Sequence, residues 1–398
     1  MAAAFEERIQ RLVDDKKIPN AIFYATDVSG SYAYHSAFGH ASFEPDAKPL
    51  TRDHYMWAAS CTKLLTSISI MQLVEQGRLG LDDAVYEVLP ELADVKIITK
   101  AEPEPEYKTA QNKMTYRHLL THTSGLGYDF VHPTLTAWRQ TNQRAPGNPK
   151  PVPEHFRIPL LFEPGTAWLY GCGLDWAGLA VERLAGSTLA EYIDKNISRA
   201  VGAEPNSITF FPLRVPDAQL AVMAQRREND TYEAGNQGSQ DPSKSEFCYG
   251  GQGTWIRGDG YLKVLQSLLA DDEKLLKRET AAELLRPQLD EATKKSLQDT
   301  VSGRPLFQRL VGRGSDPASL NHCLCGAVDG DGKPGWRRKG AVMWGGAPNL
   351  TWVLDREEGF CALQGAQLLP AGDAVYTDVA IDFEKSIKEQ KAAAGLGS

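Results

Sequence analysis

The apolar run that follows Ser60 constrains the fold most, because it leaves no polar face for water to cover. Its apolar members are Leu64, Leu65, Ile68, Ile70, Met71, Leu73 and Val74. At the helical period these residues cover nearly the whole circumference, so the run predicts a buried helix and not a surface helix with one apolar stripe. The polar residues must then be explained at the ends of the helix, and its N-terminal end carries Ser60 and Lys63.

Ser60 and Lys63 are three residues apart, so they project from the same face of the first turn. A serine hydroxyl is a weak nucleophile, but a neighbouring amine that burial keeps neutral can take its proton. The helix N-terminus favours the negative charge that then develops, and serine-lysine pairs are known variants of nucleophile plus base. The alternative is that Ser60 only caps the helix and Lys63 is a solvated first-turn residue.

Two later segments favour the chemical interpretation. In "FEPGTAWLYGCGLDWAG", Tyr170 stands in a turn-rich stretch ahead of a helix, and a tyrosine beside a lysine can relay a proton. In "MWGGAPNLTWVLD", two glycines precede a strand, where bare backbone can approach an acyl group and offer an N–H to its oxyanion. Taken singly, Tyr170 could be a core aromatic residue and Gly345-Gly346 a plain turn.

The order of predicted elements indicates an α+β fold of the α/β sandwich type. A helix near the N-terminus is followed by a hairpin around Ser29-Gly30 and by the Ser60 helix, and the middle of the chain is mainly helix and loop. One long helix is predicted from about Leu174 to Ile197, consecutive strands from about Leu306 to Gln367, and a helix near the C-terminus. We therefore expect an α/β domain of residues 1–95 and 250–398, a mostly helical domain of residues 96–249 inserted into it, and the site in the cleft between them.

Charge and composition exclude several classes of protein. The formal net charge is -8, from 51 acidic and 43 basic residues, which argues against a nucleic-acid partner. No apolar run reaches the roughly 18 residues of a membrane span, and "MAAAFEERIQ" lacks the features of a signal peptide. We expect a cytoplasmic protein without a membrane partner.

The cysteines predict free thiols and no metal. They are Cys61, Cys172, Cys248, Cys323, Cys325 and Cys361. Without a secretory signal, scattered cysteines favour thiols over a disulfide framework. The pair in "CLC" has no second pair or nearby His-x-His that would complete a zinc site, so neither a metal nor another cofactor is expected.

Four motifs, in this order, resemble those of the serine β-lactamase-like superfamily, and in particular of its class C and esterase branch. They are "SCTK" at 60–63, "LLTHTSGL" at 119–126, "FEPGTAWLYGCG" at 162–173 and "WGGAPN" at 344–349. They span nearly the whole chain and are most similar to those of fungal transesterases that acylate polyketide alcohols, and of related bacterial esterases. The resemblance implies a β-lactamase/transpeptidase-like fold, with an antiparallel sheet flanked by helices.

The resemblance also implies a role for each matching residue. Ser60 would be the acyl-accepting nucleophile, Lys63 its base and Tyr170 the proton relay. The backbone N–H groups of Ser60 and Ala347 would form the oxyanion hole. The residues expected to contact substrate are Trp344, Gly345, Gly346 and Cys172.

Two departures from the penicillin-recognising members narrow the expected substrate. Tyr170-Gly171-Cys172 stands where they have Tyr-x-Asn, and Trp344-Gly345-Gly346 stands where they have Lys-Thr-Gly. The lysine that would meet a β-lactam carboxylate is missing, as is the amide that would hold its side-chain carbonyl. A less charged, aromatic site suits neutral esters or thioesters.

We therefore expect a serine acyltransferase of secondary metabolism. Its donor would be a thioester, on coenzyme A or a carrier protein, or an ester, and its acceptor an alcohol of a small molecule. A carboxylesterase that uses water is the alternative within the same chemistry, and a non-catalytic binding protein is the alternative from another class. His118 and His122, four residues apart in "YRHLLTHTSG", are assigned structural roles because no Glu follows the first in the manner of H-E-x-x-H.

Overall fold

The computed structural model describes residues 2–142, 149–235 and 241–395. The helices in these ranges are α1 (Ala2–Asp14), α2 (Thr62–Glu75), α3 (Tyr116–Leu120), α4 (Pro133–Thr141), α5 (Val152–Phe156), α6 (Gly173–Ala185), α7 (Leu189–Ile193), α8 (Gly258–Ala270), α9 (Arg278–Leu285), α10 (Glu291–Ser302), α11 (Pro305–Phe307) and α12 (Ala374–Ala393). The strands are β1 (Asn20–Asp27), β2 (Ala33–Gly39), β3 (Met56–Trp57), β4 (Ile97–Lys100), β5 (Glu106–Lys108), β6 (Ile208–Thr209), β7 (Ala224–Arg226), β8 (Tyr232–Ala234), β9 (Trp255–Ile256), β10 (Asn321–His322), β11 (Ala327–Val328), β12 (Val342–Gly346), β13 (Leu350–Asp355), β14 (Phe360–Gly365) and β15 (Leu368–Leu369).

Both ends of the chain contribute to one antiparallel sheet of order β10-β11-β12-β13-β14-β1-β2. Successive residues of β1 point to opposite faces of this sheet. The ring of Phe23 packs on Phe5 of α1 and Phe383 of α12, with ring centroids 5.0 and 4.9 Å apart. The ring of the next residue, Tyr24, lies against Gly258 at the start of α8. The sheet is therefore covered by helices on both faces, and the predicted α+β sandwich is confirmed.

The helix after Ser60 is buried as its apolar residues predict. Every residue of α2 from Thr62 to Leu73 is buried, and the helix packs against α6, α7 and α9. Ser60 itself lies in the 3-10 turn Ala59–Cys61 that precedes α2, and the N-cap of α2 is Cys61, with no side-chain cap. The simple explanation of Ser60 as a helix cap is therefore wrong.

Two predicted elements differ from the structure. The long helix ends at Ala185, because Gly186 adopts a left-handed φ of 67°, and α7 begins only after Thr188. Thr188 and Glu191 form a capping box, which is a start signal that the sequence contains. The strands of the C-terminal region begin at Asn321, because α11 and a π-helical turn over 308–312 occupy its first part.

The two predicted hairpins are both confirmed. β1 pairs with β2 around Ser29-Gly30, and β13 pairs with β14 around the turn at 356–359. The division into domains at residues 95 and 250 stays a prediction. None of the helices in the described ranges is long and apolar enough to cross a membrane.

Candidate active site

Three side chains meet where the 3-10 turn enters α2. The Nζ atom of Lys63 lies 3.2 Å from the Oγ atom of Ser60 and 2.8 Å from the hydroxyl of Tyr170. The hydroxyls of Ser60 and Tyr170 also share a short hydrogen bond with each other. Each of the three polar groups therefore contacts the other two, and a proton can pass between any pair of them.

The glycines of "YGCG" explain how Tyr170 reaches this position. A Cβ atom on Gly171 would overlap the carbonyl oxygen of Leu126, and one on Gly173 would overlap that of Leu119. The loop before α6 therefore packs directly on the backbone of the "LLTHTSGL" segment, which leaves no space for side chains at these two positions. Since α6 also packs on α2, Tyr170 is fixed over the first turn of α2.

The backbone around Ser60 is strained and closely packed. Ala59 has a φ of +44°, a conformation that non-glycine residues rarely adopt and that often marks functional sites. On the other side of the turn, a Cβ atom on Gly346 would overlap the carbonyl oxygen of Ala58, so β12 approaches the turn backbone to backbone. The second glycine of "WGG" thus brings the end of β12, which Ala347 follows in the sequence, against the turn that contains Ser60.

The expected oxyanion hole consists of two backbone N–H groups. Among the backbone hydrogen bonds of turns and loops in the described ranges, neither Ser60 nor Ala347 is a donor. Both residues are partly exposed. Their role as an oxyanion hole stays a prediction.

Lys63 has further partners that the sequence did not point to. Its side chain is only 1% exposed, and its Nζ atom donates to the Gly251 carbonyl at 2.6 Å and lies 3.4 Å from the Tyr128 hydroxyl. Tyr128 in turn donates to Asp175 at 2.9 Å, and Asp175 accepts the Gly251 N–H at 2.9 Å. Burial raises the pKa of Asp175 to about 6.

The signal that could have indicated Asp175 is its sequence context. It stands in the first turn of α6, where an acid also suits the helix dipole, but its neighbours Leu174 and Trp176 are apolar. An acid among apolar residues is buried, and a buried acid needs partners. No comparable local signal marks Gly251, which looks like the other glycines of "YGGQG".

Aromatic rings surround Tyr170. His122 lies 4.9 Å from the Tyr170 ring and stacks on Trp344 at 5.9 Å, and Phe307 meets Tyr170 edge-on at 5.9 Å. Burial holds the pKa of His122 well below its usual range and lowers that of His322 to about 4, so both imidazoles are neutral. The Nδ1 atom of His122 accepts the N–H of Gly171, which supports its structural assignment.

His118 has a structural role, and three of the residues predicted to contact substrate are buried. His118 completes a capping box with Thr115 at the start of α3. Trp344, Gly345 and Gly346 are buried in β12, where the Trp344 ring packs 5.7 Å from that of Tyr170.

Cys172 has no exposed surface, and its Sγ atom faces the carbonyl of Phe156 at 3.9 Å. Its side chain therefore supports the Tyr170 loop from behind, and a direct contact with substrate would require that loop to move. Burial raises the pKa of Cys172 and raises that of Cys61 to about 12, which keeps both thiols protonated and weakly nucleophilic. No cluster of His, Cys, Asp and Glu within the described ranges could hold a metal ion.

Comparisons with known proteins identify the family to which the chain belongs. The family model described as beta-lactamase matches residues 5–363. The chain is 32% identical to the monacolin J acid methylbutanoyltransferase of Aspergillus terreus, over 97% of this chain and 95% of that one. It is also 32% identical to the lovastatin esterase of Penicillium rubens, over 96% of this chain and 98% of that one.

Among solved structures, the unliganded simvastatin synthase of Aspergillus terreus superposes with a TM-score of 0.88. The two chains are 32% identical, and the match covers 98% of each. The family model spans most of this chain. The two relatives and the solved structure also match this chain over nearly its full length. The chain therefore belongs to the beta-lactamase family.

Proposed function

We propose that this protein is an acyltransferase that forms an acyl-enzyme on Ser60 and passes the acyl group to an alcohol of a small molecule. The observation that carries the proposal is the contact of Lys63 Nζ with both Ser60 Oγ and Tyr170 OH. A serine hydroxyl with an amine and a phenol at hydrogen-bond distance has what acyl transfer needs, which is a nucleophile and groups that take and return its proton. Membership of the beta-lactamase family supports the serine chemistry.

In the proposed acylation step, Ser60 Oγ attacks the carbonyl carbon of the donor while its proton passes to Lys63, directly or through Tyr170. The carbonyl oxygen becomes an oxyanion, which the N–H groups of Ser60 and Ala347 stabilise. When the carbonyl re-forms, the bond from carbon to the sulfur or oxygen of the leaving group breaks. The leaving group takes the proton back through Tyr170, so the pair returns to its initial protonation state.

Deacylation repeats these steps with the acceptor. The alcohol gives its proton to the Lys63 and Tyr170 pair as its oxygen attacks the acyl carbon. The bond to Ser60 Oγ then breaks, and Oγ recovers a proton from the same pair. Water in place of the alcohol would make the protein a carboxylesterase. The similarity to a lovastatin esterase supports this second candidate function.

The ring environment supports a neutral acceptor. Trp344, Phe307 and the uncharged His122 surround Tyr170, and the residue at 344 is an indole where penicillin-recognising members carry a lysine. We propose an alcohol of secondary metabolism as the acceptor, in line with the names of the methylbutanoyltransferase relatives. The donor would be a thioester on coenzyme A or a carrier protein, or an ester.

We also propose that the enzyme works in the cytoplasm and needs no cofactor. All six cysteines are buried free thiols, which supports this location because thiols stay reduced in the cytoplasm.

The proposal is tested by intact-mass analysis after brief exposure to an activated short-chain ester. The wild type should gain one acyl group, Ser60→Ala none, and Lys63→Ala should acylate much more slowly. Adding candidate alcohols then separates the functions, because a transferase yields the new ester and an esterase yields only the acid. An adduct that survives Ser60→Ala would overturn the mechanism, and no adduct in the wild type would favour a binding protein.

A further inference from the structure

Asp175 is a buried acid to which the proposed acyl-transfer steps assign no role. It has no exposed surface, and its hydrogen-bond partners are a phenol and a peptide N–H instead of a cation. Burying a carboxylate is costly unless hydrogen bonds or a nearby charge compensate it. The basic side chain that acts on Asp175 is Lys63, whose Nζ atom has no carboxylate among its own partners.

Two short bridges connect Asp175 to Lys63. Through the first, the Tyr128 hydroxyl donates to Asp175 Oδ2 at 2.9 Å and lies 3.4 Å from Lys63 Nζ. Through the second, the Gly251 N–H donates to Asp175 Oδ1 at 2.9 Å, and the Gly251 carbonyl accepts from Lys63 at 2.6 Å. Both oxygens of the carboxylate are therefore used, and each leads to the same amine.

The direction of these hydrogen bonds follows from the carboxylate. An ionised carboxylate only accepts, so the single hydrogen of the Tyr128 hydroxyl points at Asp175 and its oxygen is left to accept from Lys63. The Gly251 carbonyl also only accepts. A neutral lysine amine has two N–H bonds and one lone pair. With both N–H bonds held by Tyr128 and Gly251, the lone pair is directed at Ser60 and Tyr170.

We propose that Asp175 and Tyr128 are positioning residues that aim the lone pair of Lys63 at Ser60 and Tyr170. This inference rests on the proposed acyl-enzyme function of Ser60. Gly251 completes the arrangement, because a Cβ atom there would lie 2.5 Å from Asp175 Oδ2 and 2.8 Å from the Tyr128 hydroxyl. A side chain at this position would separate the carboxylate from both bridges.

The test measures the rate of Ser60 acylation, by intact mass in a single turnover, for Asp175→Asn, Tyr128→Phe and the double variant. Asparagine can still accept the Gly251 N–H, but its NH₂ group must donate to Tyr128, which turns the Tyr128 hydrogen towards Lys63. We expect each single variant to acylate roughly 10- to 100-fold more slowly, which is less than the roughly 100- to 10,000-fold of a proton-transfer group, because neither residue transfers the proton itself. Because Asp175 acts through Tyr128, the double variant should be about as slow as Tyr128→Phe alone.

The pH profile provides a readout that general destabilisation would not change. The titratable groups that face Asp175 are Lys63, Tyr128, Cys172 and Tyr249. Below about pH 6 the carboxyl takes a proton, so the wild-type acylation rate should gain an acidic limb there that Asp175→Asn lacks.

Asp355→Asn is the matched control. Asp355 is also buried with a raised pKa, and it accepts two backbone N–H groups. It ends β13 five residues beyond Leu350, whose carbonyl contacts Cys61, which is about 16 Å along an extended strand. Its acylation rate and pH profile should match those of the wild type.

The outcomes separate this inference from the proposed function. If Ser60→Ala abolishes the adduct while Asp175→Asn and Tyr128→Phe acylate at the wild-type rate with its pH profile, the positioning inference is wrong and the acyl-enzyme stands. The inference is also wrong if the slowing of acylation in the double variant equals the product of the slowing in the two single variants. Should Asp175→Asn fail to fold, Tyr128→Phe decides alone, since it removes one hydroxyl and keeps the ring.

Discussion

Replacing Gly171 by alanine should displace Tyr170 and slow acylation strongly. The new Cβ atom would lie 2.6 Å from the Cα atom of Gly127 and overlap the carbonyl oxygen of Leu126. Ordinary contacts begin at 3.4 Å, so the contact with Gly127 alone requires one of the two backbones to move by about 0.8 Å, and the overlap with Leu126 requires more. A displacement of about 1 Å in a catalytic group can cost about 100-fold in rate, and overpacking a core costs about 1–3 kcal/mol of stability.

The assay is single-turnover acylation by an activated ester, followed by intact mass, with thermal unfolding measured on the same samples. Gly312→Ala is the control, because a Cβ atom there would meet Leu320 and Val301 at 3.4 and 3.5 Å, which are ordinary contact distances. The control should acylate at the wild-type rate. A folded Gly171→Ala protein that acylates within threefold of the wild type would refute the claim that the close packing of this loop sets the position of Tyr170.

Three further perturbations test other parts of the structure. Burial raises the pKa of Asp175 from 3.8 to about 6, so the folded state binds this proton more tightly than the unfolded state, and its contribution to stability is lost as pH rises through that window. Chemical denaturation should therefore show Asp175→Asn gaining up to about 3 kcal/mol relative to wild type between pH 4 and pH 7, and a flat difference would contradict this. Glu384 is buried and accepts from Arg313 and Arg337 at 2.5 and 2.7 Å, so Glu384→Ala should cost about 3–5 kcal/mol in the free energy of unfolding, with normal acylation per folded molecule. Cys172→Ala should keep the Ser60 adduct, whereas loss of the adduct would make the thiol part of the chemistry.

Sequence patterns predicted the elements whose causes are local. The all-round apolar pattern gave α2, and the turn residues gave the hairpins around 29–30 and 356–359. The motifs placed Ser60, Lys63 and Tyr170 on short segments, and the structure brings these segments together. The prediction of one long helix is wrong because it follows the continuous helical periodicity over two local signals, Gly186 and the Thr188 capping box.

The surroundings of Lys63 could not be predicted in the same way, because their causes are distant in the sequence. The Gly251 carbonyl lies 188 residues from Lys63, and Asp175 lies 76 residues from Gly251. The sequence of "YGGQG" does not indicate which of its glycines will contact Lys63 and Asp175 through its backbone. The apolar neighbours of Asp175 indicate that the acid is buried and needs partners, but they do not indicate which distant residues those partners are.

The distances around Lys63 favour one order of proton transfer under the proposed mechanism. Four oxygen atoms surround Lys63 Nζ, at different distances. The contacts with Gly251 and Tyr170 are shorter, at 2.6 and 2.8 Å, than the 3.2 Å contact with Ser60. Since Ser60 is itself closely hydrogen-bonded to Tyr170, the shortest path for its proton runs through the phenol to the amine. Tyr170 would then take the proton of Ser60 directly, and Lys63 would take the proton of Tyr170.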